Sequence, residues 1–157
     1  MATLCILADR AGLAGGGAEA IAYEHGRGFA RRGWRVVLVR ASPRGAPSIS
    51  EDGMEIRELC SAYPRSLRYY VNLWNPQIIP SLRRLLAEVA PDVVHAHNIH
   101  LDLSYAALAV ARRFAKGVFL TTHDVGLFYY GRLGTRRYLK PGDLRVRDDF
   151  DYRVRWH

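Results

Sequence analysis

Pro91-Asp92-Val93-Val94-His95-Ala96-His97-Asn98 and, further along, Leu120-Thr121-Thr122-His123-Asp124 decide the fold. In each, a short apolar run reads as a buried parallel strand that stops at polar residues able to bind something. Ligands of open α/β sheets collect just beyond such carboxyl ends. His97 with Asn98, and His123 with Asp124, are therefore the first candidate site residues.

Working outward toward the amino terminus, Leu4-Cys5-Ile6-Leu7-Ala8 reads as a first buried strand. A Gly-rich loop, Gly12 to Gly17, leads into a helix beginning near Ala18. Ile21, His25 and Phe29, with Ala18 and Ala22 beside them, share one face at helical spacing, and Gly33 takes the left-handed position after the helix end. Gly26 and Gly28 weaken this helix by about 1 kcal/mol each relative to Ala unless close packing requires bare backbone there. Arg35 to Val39 is a second strand, apolar enough to be covered on both faces.

The segment Ala41–Gly53, with two prolines, two glycines and three serines, reads as a loop, and Met54–Leu59 as a weaker strand. Arg65–Trp74 shows no clean period. Asn75-Pro76 then has the form of an N-cap followed by Pro at the first helical position, opening a helix to Val89 that Pro80 is expected to bend. A strand from Val93, a helix over 103–115 and a strand over 118–122 complete the pattern. Repeated strand-helix-strand order with continuous apolar strands predicts an α/β fold, a Rossmann-like doubly wound parallel sheet. The chain is read as one domain, 1–157, whose segment 124–157 is irregular and is expected to stop before the fold is complete.

Composition bounds the partners. The 157 residues are 49% hydrophobic, enough for one core, and carry a net charge of +8 that favours anionic ligands. Arginines stand singly or in pairs, with no basic-aromatic ladder of the kind that tracks nucleic acid, so no nucleic-acid partner is expected. Cys5 and Cys60 read as reduced thiols of a cytoplasmic protein. No run of about 18 apolar residues exists, which leaves only peripheral membrane contact.

Gly15-Gly16-Gly17 ahead of a helix suits an anion, because bare backbone lets N–H groups approach a phosphate where the helix N-terminus adds about half a positive charge. A flexible turn is the plain alternative. Gly15-x-Gly17-x-x-Ala20 meets a relaxed dinucleotide pattern, but Asp9 to Ala14 intervene after the strand and Arg40 holds the place of the ribose-binding acid, so a nicotinamide cofactor is disfavoured. His95, His97 and His100 resemble the His-x-His-x-Asp-His run of metallo-β-lactamase-like hydrolases. Ile99 stands where the Asp belongs, however, and the leading fold is wrong. The preferred reading assigns no metal: one imidazole packs or hydrogen-bonds internally, while His97 and Asn98 line a cleft. His123 beside Asp124 reads either as a site pair or as a hydrogen-bonded structural histidine. Tyr129 and Tyr130 could stack on a sugar or simply pack. No Gly-x-Ser-x-Gly, Walker-type Gly-Lys-Ser/Thr or Cys-x-x-Cys motif is present.

Taken in order, Gly15-Gly16-Gly17-Ala18-Glu19, the run Phe29-Ala30-Arg31-Arg32-Gly33-Trp34-Arg35-Val36, Pro91 to Asn98, and Thr122-His123-Asp124 resemble the amino-terminal half of family 4 glycosyltransferases, two-domain GT-B enzymes. The later Gly131-Arg132-Leu133 and Arg147–Trp156 are similar to that family's irregular segment. The resemblance implies retaining transfer of a sugar from a nucleotide-sugar to an acceptor hydroxyl, with no metal and no cofactor beyond that co-substrate. It implies that Gly15, Gly16 and Gly17 place amides near the donor diphosphate. It also puts His123, the catalytic candidate, close to the donor sugar, and His97, Asn98 and Asp124 around a sugar or lipid-linked acceptor. The family's nucleotide-holding domain carries two Glu residues with seven between them. Glu51 and Glu58 stand one residue too close and in the wrong region, so this polypeptide is expected to be inactive alone. A non-catalytic module for phosphorylated or lipid-linked ligands, and a hydrolase using His95, His97 and His100, remain as rival readings.

Overall fold

In a computed structural model, residues 1–10, 16–64 and 67–124 are described. Gly15 and the rest of the loop before it, Tyr129, Tyr130, Gly131-Arg132-Leu133 and Arg147–Trp156 lie outside the described residues. The chain divides into two units, Met1–Thr121 and Thr122–His157.

The first unit is a six-stranded sheet. In chain order its elements are β1 (Thr3–Ala8), α1 (Gly17–Ala30), β2 (Arg35–Ser42), β3 (Ala46–Glu51), β4 (Met54–Cys60), α2 (Arg68–Val71), α3 (Ile78–Val89), β5 (Val93–His97), α4 (Ala106–Ala111) and β6 (Gly117–Thr121). The strands lie in the order β3-β4-β2-β1-β5-β6, with β1 flanked by β2 and β5. All neighbours are parallel except the β3–β4 pair. The reversal of strand order on either side of β1 is the Rossmann-like arrangement expected from the sequence.

Period-two alternation divides the strands between two layers. Cys5, Leu7, Val37, Val39, Val94 and Ala96 face α3 and α4 and form the larger core with Ile78, Leu82, Leu86, Val89, Ala107 and Ala111. Leu4, Ile6, Val36, Leu38, Met54 and Ile56 face the opposite way and pack under Ala22 and Tyr23 of α1. Burial pushes the Cys5 thiol up to about 12, so it is an inert core residue, whereas Cys60 is exposed and also unpaired.

Helix α1 sits on the sheet by a different face from the one its sequence indicated. Ala22, Tyr23 and Gly26 are buried, while Ile21 is 43% exposed and His25 is exposed. Gly26 is the cause: a Cβ there would stand 2.5 Å from Met54 Sδ and 3.1 Å from Ile6 Cδ1, so the missing side chain lets the helix descend along the 22-23-26 line. The bare backbone is a packing requirement, which answers the cost noted for a mid-helix glycine. The helix ends as expected, with Gly33 at φ 81°.

The expected loop over 41–53 is also corrected. It contains β3, an edge strand hairpinned onto β4 through Asp52-Gly53, both at positive φ (50° and 78°), the geometry of a type I′ turn. Every residue of β3 is exposed, which removes the hydrophobic alternation by which strands are recognised, and Pro47 is tolerated because the strand is at an edge. Asn75 Oδ1 accepts from Gln77 N (3.0 Å) and Ile78 N (3.2 Å), the bonds expected of a cap, but α3 starts at Ile78 rather than at Pro76 and continues through Pro80, its third residue, to Val89. Helix α4 is shorter than the 103–115 expected. Its first N–H groups are engaged by Asn72 and Leu73 carbonyls from the α2 region.

Candidate functional site

The carboxyl ends of β1, β2 and β4 open into a cavity of about 840 Å³ lined by Arg10, Arg40, Ser42, Ser61, Tyr63 and Asp102, among others. It lies where the sheet physics places a ligand, but most of its lining was not singled out in the sequence. Arg10 follows β1. Arg40 sits opposite Glu58 in the β2–β4 register and pairs with it at 3.1 Å, which holds the guanidinium at the cavity wall. In the sequence, Arg40 signals the cavity only by standing near the end of β2 where a dinucleotide fold has an acid.

The cavity wall is fixed by Asp9. Its buried carboxylate accepts N–H bonds from Leu101 (2.6 Å), Asp102 (3.0 Å) and Leu103 (2.7 Å), pinning the loop after β5 to the end of β1. Burial pushes the Asp9 carboxyl up to about 7. The N–H bonds from Leu103, Leu101 and Asp102 oppose that rise, and the nearby Asp102 charge adds to it. Asp102 in turn accepts from Ser61 Oγ at 2.9 Å, and Asn75 Nδ2 donates to Ser61 Oγ and to the Asp102 carbonyl. The residue that caps α3 thus also braces the rim.

Gly16 and Gly17 are exposed at the start of α1. Gly16 is the N-cap, with its carbonyl accepting from Ala20 N at 3.0 Å. A Cβ on Gly17 would meet nothing within 4 Å among the described residues, and one on Gly16 would stand 2.8 Å from Glu19 Oε2. The Glu19 carboxylate therefore folds back over the helix N-terminus, where its charge is favourable.

His97 is the last residue of β5 rather than a residue beyond it. It is 1% exposed, so it lies beneath the rim and does not line an open cleft. Its register partner is Ala8, and that of His95 is Ile6, so both imidazoles point to the α1 layer. There they meet His25: ring centroids are 4.1 Å apart for His95–His97, 5.3 Å for His25–His97 and 5.8 Å for His25–His95. His95 Nε2 lies 2.8 Å from Thr121 Oγ1 on β6, the internal hydrogen bond anticipated for one imidazole. His100 is not part of the cluster; His25, read only as a helix-face residue, takes its place. Asn98 carries the chain out of β5 at φ 43°, a left-handed conformation that Asn tolerates. His123 and Asp124 are half-buried and fall in the second unit, Thr122–His157. No helix among the described residues is long and apolar enough to cross a membrane.

No curated protein sequence matches the chain. Among solved structures, sucrose-phosphate synthase from Thermosynechococcus elongatus superimposes with a TM-score of 0.64 at 13% identity, over 91% of this chain and 36% of that one. At that identity the likeness is one of fold, a Rossmann-like portion of a GT-B glycosyltransferase; the chain spans about a third of the matched structure's length. The sequence profile of Glycosyltransferase Family 4 matches residues 15–154, nearly the whole chain. The chain therefore belongs to Glycosyltransferase Family 4.

Proposed function

We propose that this chain is the acceptor-side part of a retaining glycosyltransferase that moves a sugar from a nucleotide-sugar to an acceptor hydroxyl and is inactive alone. The observation that carries the reading is the joint placement, on the carboxyl rim of one sheet, of an exposed Gly16-Gly17 helix start and a cavity bearing two guanidinium groups.

In this reading the donor diphosphate approaches the first N–H groups of α1 at Gly16 and Gly17, with Gly15 beside them. Oriented N–H dipoles there stabilise charge developing on the leaving diphosphate. Glu19 swings aside as the diphosphate arrives, because the two anions compete for one helix end. The acceptor occupies the cavity, where Arg10 and Arg40 suit a phosphorylated or lipid-linked sugar; Asn98, just past the end of β5, is assigned to the same acceptor, with His97 preceding it in the strand. His123 serves the donor sugar as catalytic residue, with Asp124 on the acceptor side. The reaction takes place in the cytoplasm, peripheral membrane contact being confined to lipid-linked acceptors.

Gly17→Ala tests the reading cleanly. The added methyl stands at the first helical position and has no neighbour among the described residues, so lost ligand binding reports close approach of the ligand. Nucleoside diphosphate added to isotope-labelled protein should shift the Gly16 and Gly17 amides, Gly17→Ala should weaken that binding, and nucleotide-sugars should not be turned over. Shifts remote from the rim, or turnover by the 157-residue chain, would overturn it.

A further inference from the structure

Three imidazoles meet between α1 and β5. One ring nitrogen from each of His25, His95 and His97 lies within 4.8 Å of those of the other two. The convergence is built by the fold. His95 and His97 are two residues apart on a strand and so share a face, and α1 covers that face with His25. Burial grades across the cluster, from His97 at the bottom through half-buried His95 to exposed His25.

We propose that His25, His95 and His97 form a binding site for a borderline divalent transition-metal cation, zinc being the reference case, that ties α1 to β5. Neutral imidazole is a common ligand for such ions, whereas magnesium and calcium require oxygen donors that this cluster lacks. Three protein nitrogens with a fourth position open to solvent on the His25 side match the ligand count of sites that keep a water. Two nitrogens on a tetrahedral zinc ion stand about 3.4 Å apart, so a pair at the 4.8 Å limit must close by about 1.4 Å. Exposed His25 is the ring with room to swing. With the ion on His95 Nδ1, the Thr121 hydroxyl, 2.8 Å from Nε2, accepts the outer hydrogen bond that typically orients a ligating ring. The ion's effect is positional: it fixes the helix whose N-terminus carries Gly16 and Gly17. The site is independent of the glycosyl-transfer reading and supplies no step to it.

The test is titration of zinc alone into the metal-free 157-residue protein. One equivalent should bind in the micromolar range or tighter. The ring nitrogen resonances of His25, His95 and His97 should shift together, and the thermal midpoint should rise by roughly 5 °C or more at a hundredfold excess over Kd. His25→Ala and His25→Gln change an exposed side chain and should fold, yet each should weaken binding at least tenfold and lose the thermal shift. His100→Ala and Cys60→Ser should bind as the parent does. Absence of saturable binding at micromolar zinc, or equal binding by the parent and both His25 variants, would overturn the proposal.

Discussion

The two faces of the sheet are built from the same strands and differ in what they bury. Toward α3 and α4, alternate residues from Cys5 to Ala96 close into a continuous apolar layer that extends across β2, β1 and β5. Toward α1 the layer is apolar under β4, β2 and most of β1, then turns to imidazole at His95 and His97, and ends at Phe119 of β6, 59% exposed. His95 contacts that ring at a centroid distance of 6.3 Å, so polar and exposed apolar residues adjoin on this half. One strand, β5, therefore contributes Val94 and Ala96 to the apolar core on one side and two histidines to the imidazole cluster on the other.

The contrast can be broken most severely on the closed face. Leu86 is fully buried between α3 and the sheet, and Leu86→Ala should cost about 2–5 kcal/mol in urea unfolding. A cost under 1 kcal/mol would show that this layer is not the rigid one.

Asp9, at the end of β1 where the faces meet the rim, gives an intermediate effect with a pH signature. Its native carboxyl keeps a proton up to about pH 7, against an ordinary value of 3.8. The native state thus binds more protons than the unfolded chain in that interval, and this group's contribution to stability falls as pH rises from about 4 to about 7. Asp9→Asn removes one acceptor for the three N–H donors and should cost about 1–3 kcal/mol at pH 5. That deficit should shrink toward pH 7.5, because only the parent ionises there. A deficit that grows with pH in paired urea titrations would reverse the assignment.

The smallest effect belongs to the open half. Phe119→Ser should cost about 0.5–1.5 kcal/mol, since the ring is 59% exposed and keeps a ring contact with His95. A loss comparable to that of Leu86→Ala would mean that the α1-side layer extends over β6.

What was legible from particular residues follows a physical line. The strands at Leu4, Arg35 and Val93 and the Asn75 cap rest on local chemistry, and they appear where expected. β3 was missed because an edge strand with both faces exposed has no hydrophobic alternation, although Asp52-Gly53 carried the hairpin signal. The face of α1 was misjudged because periodicity weighs side chains, and Gly26 acts by having none.

The sequence by itself determined the alternating strand-helix order, two-sided burial of the central strands, the helix caps and membership of the glycosyltransferase family, all of which depend on short-range pattern. Only the tertiary structure decided that His25 meets His95 and His97, that Asp9 holds the loop at Leu101–Leu103, and that Arg10, Arg40 and Tyr63 share one cavity. Strand parity tells which residues share a face, but the partner across that face comes from distant chain brought in by helix packing. No local period encodes that meeting.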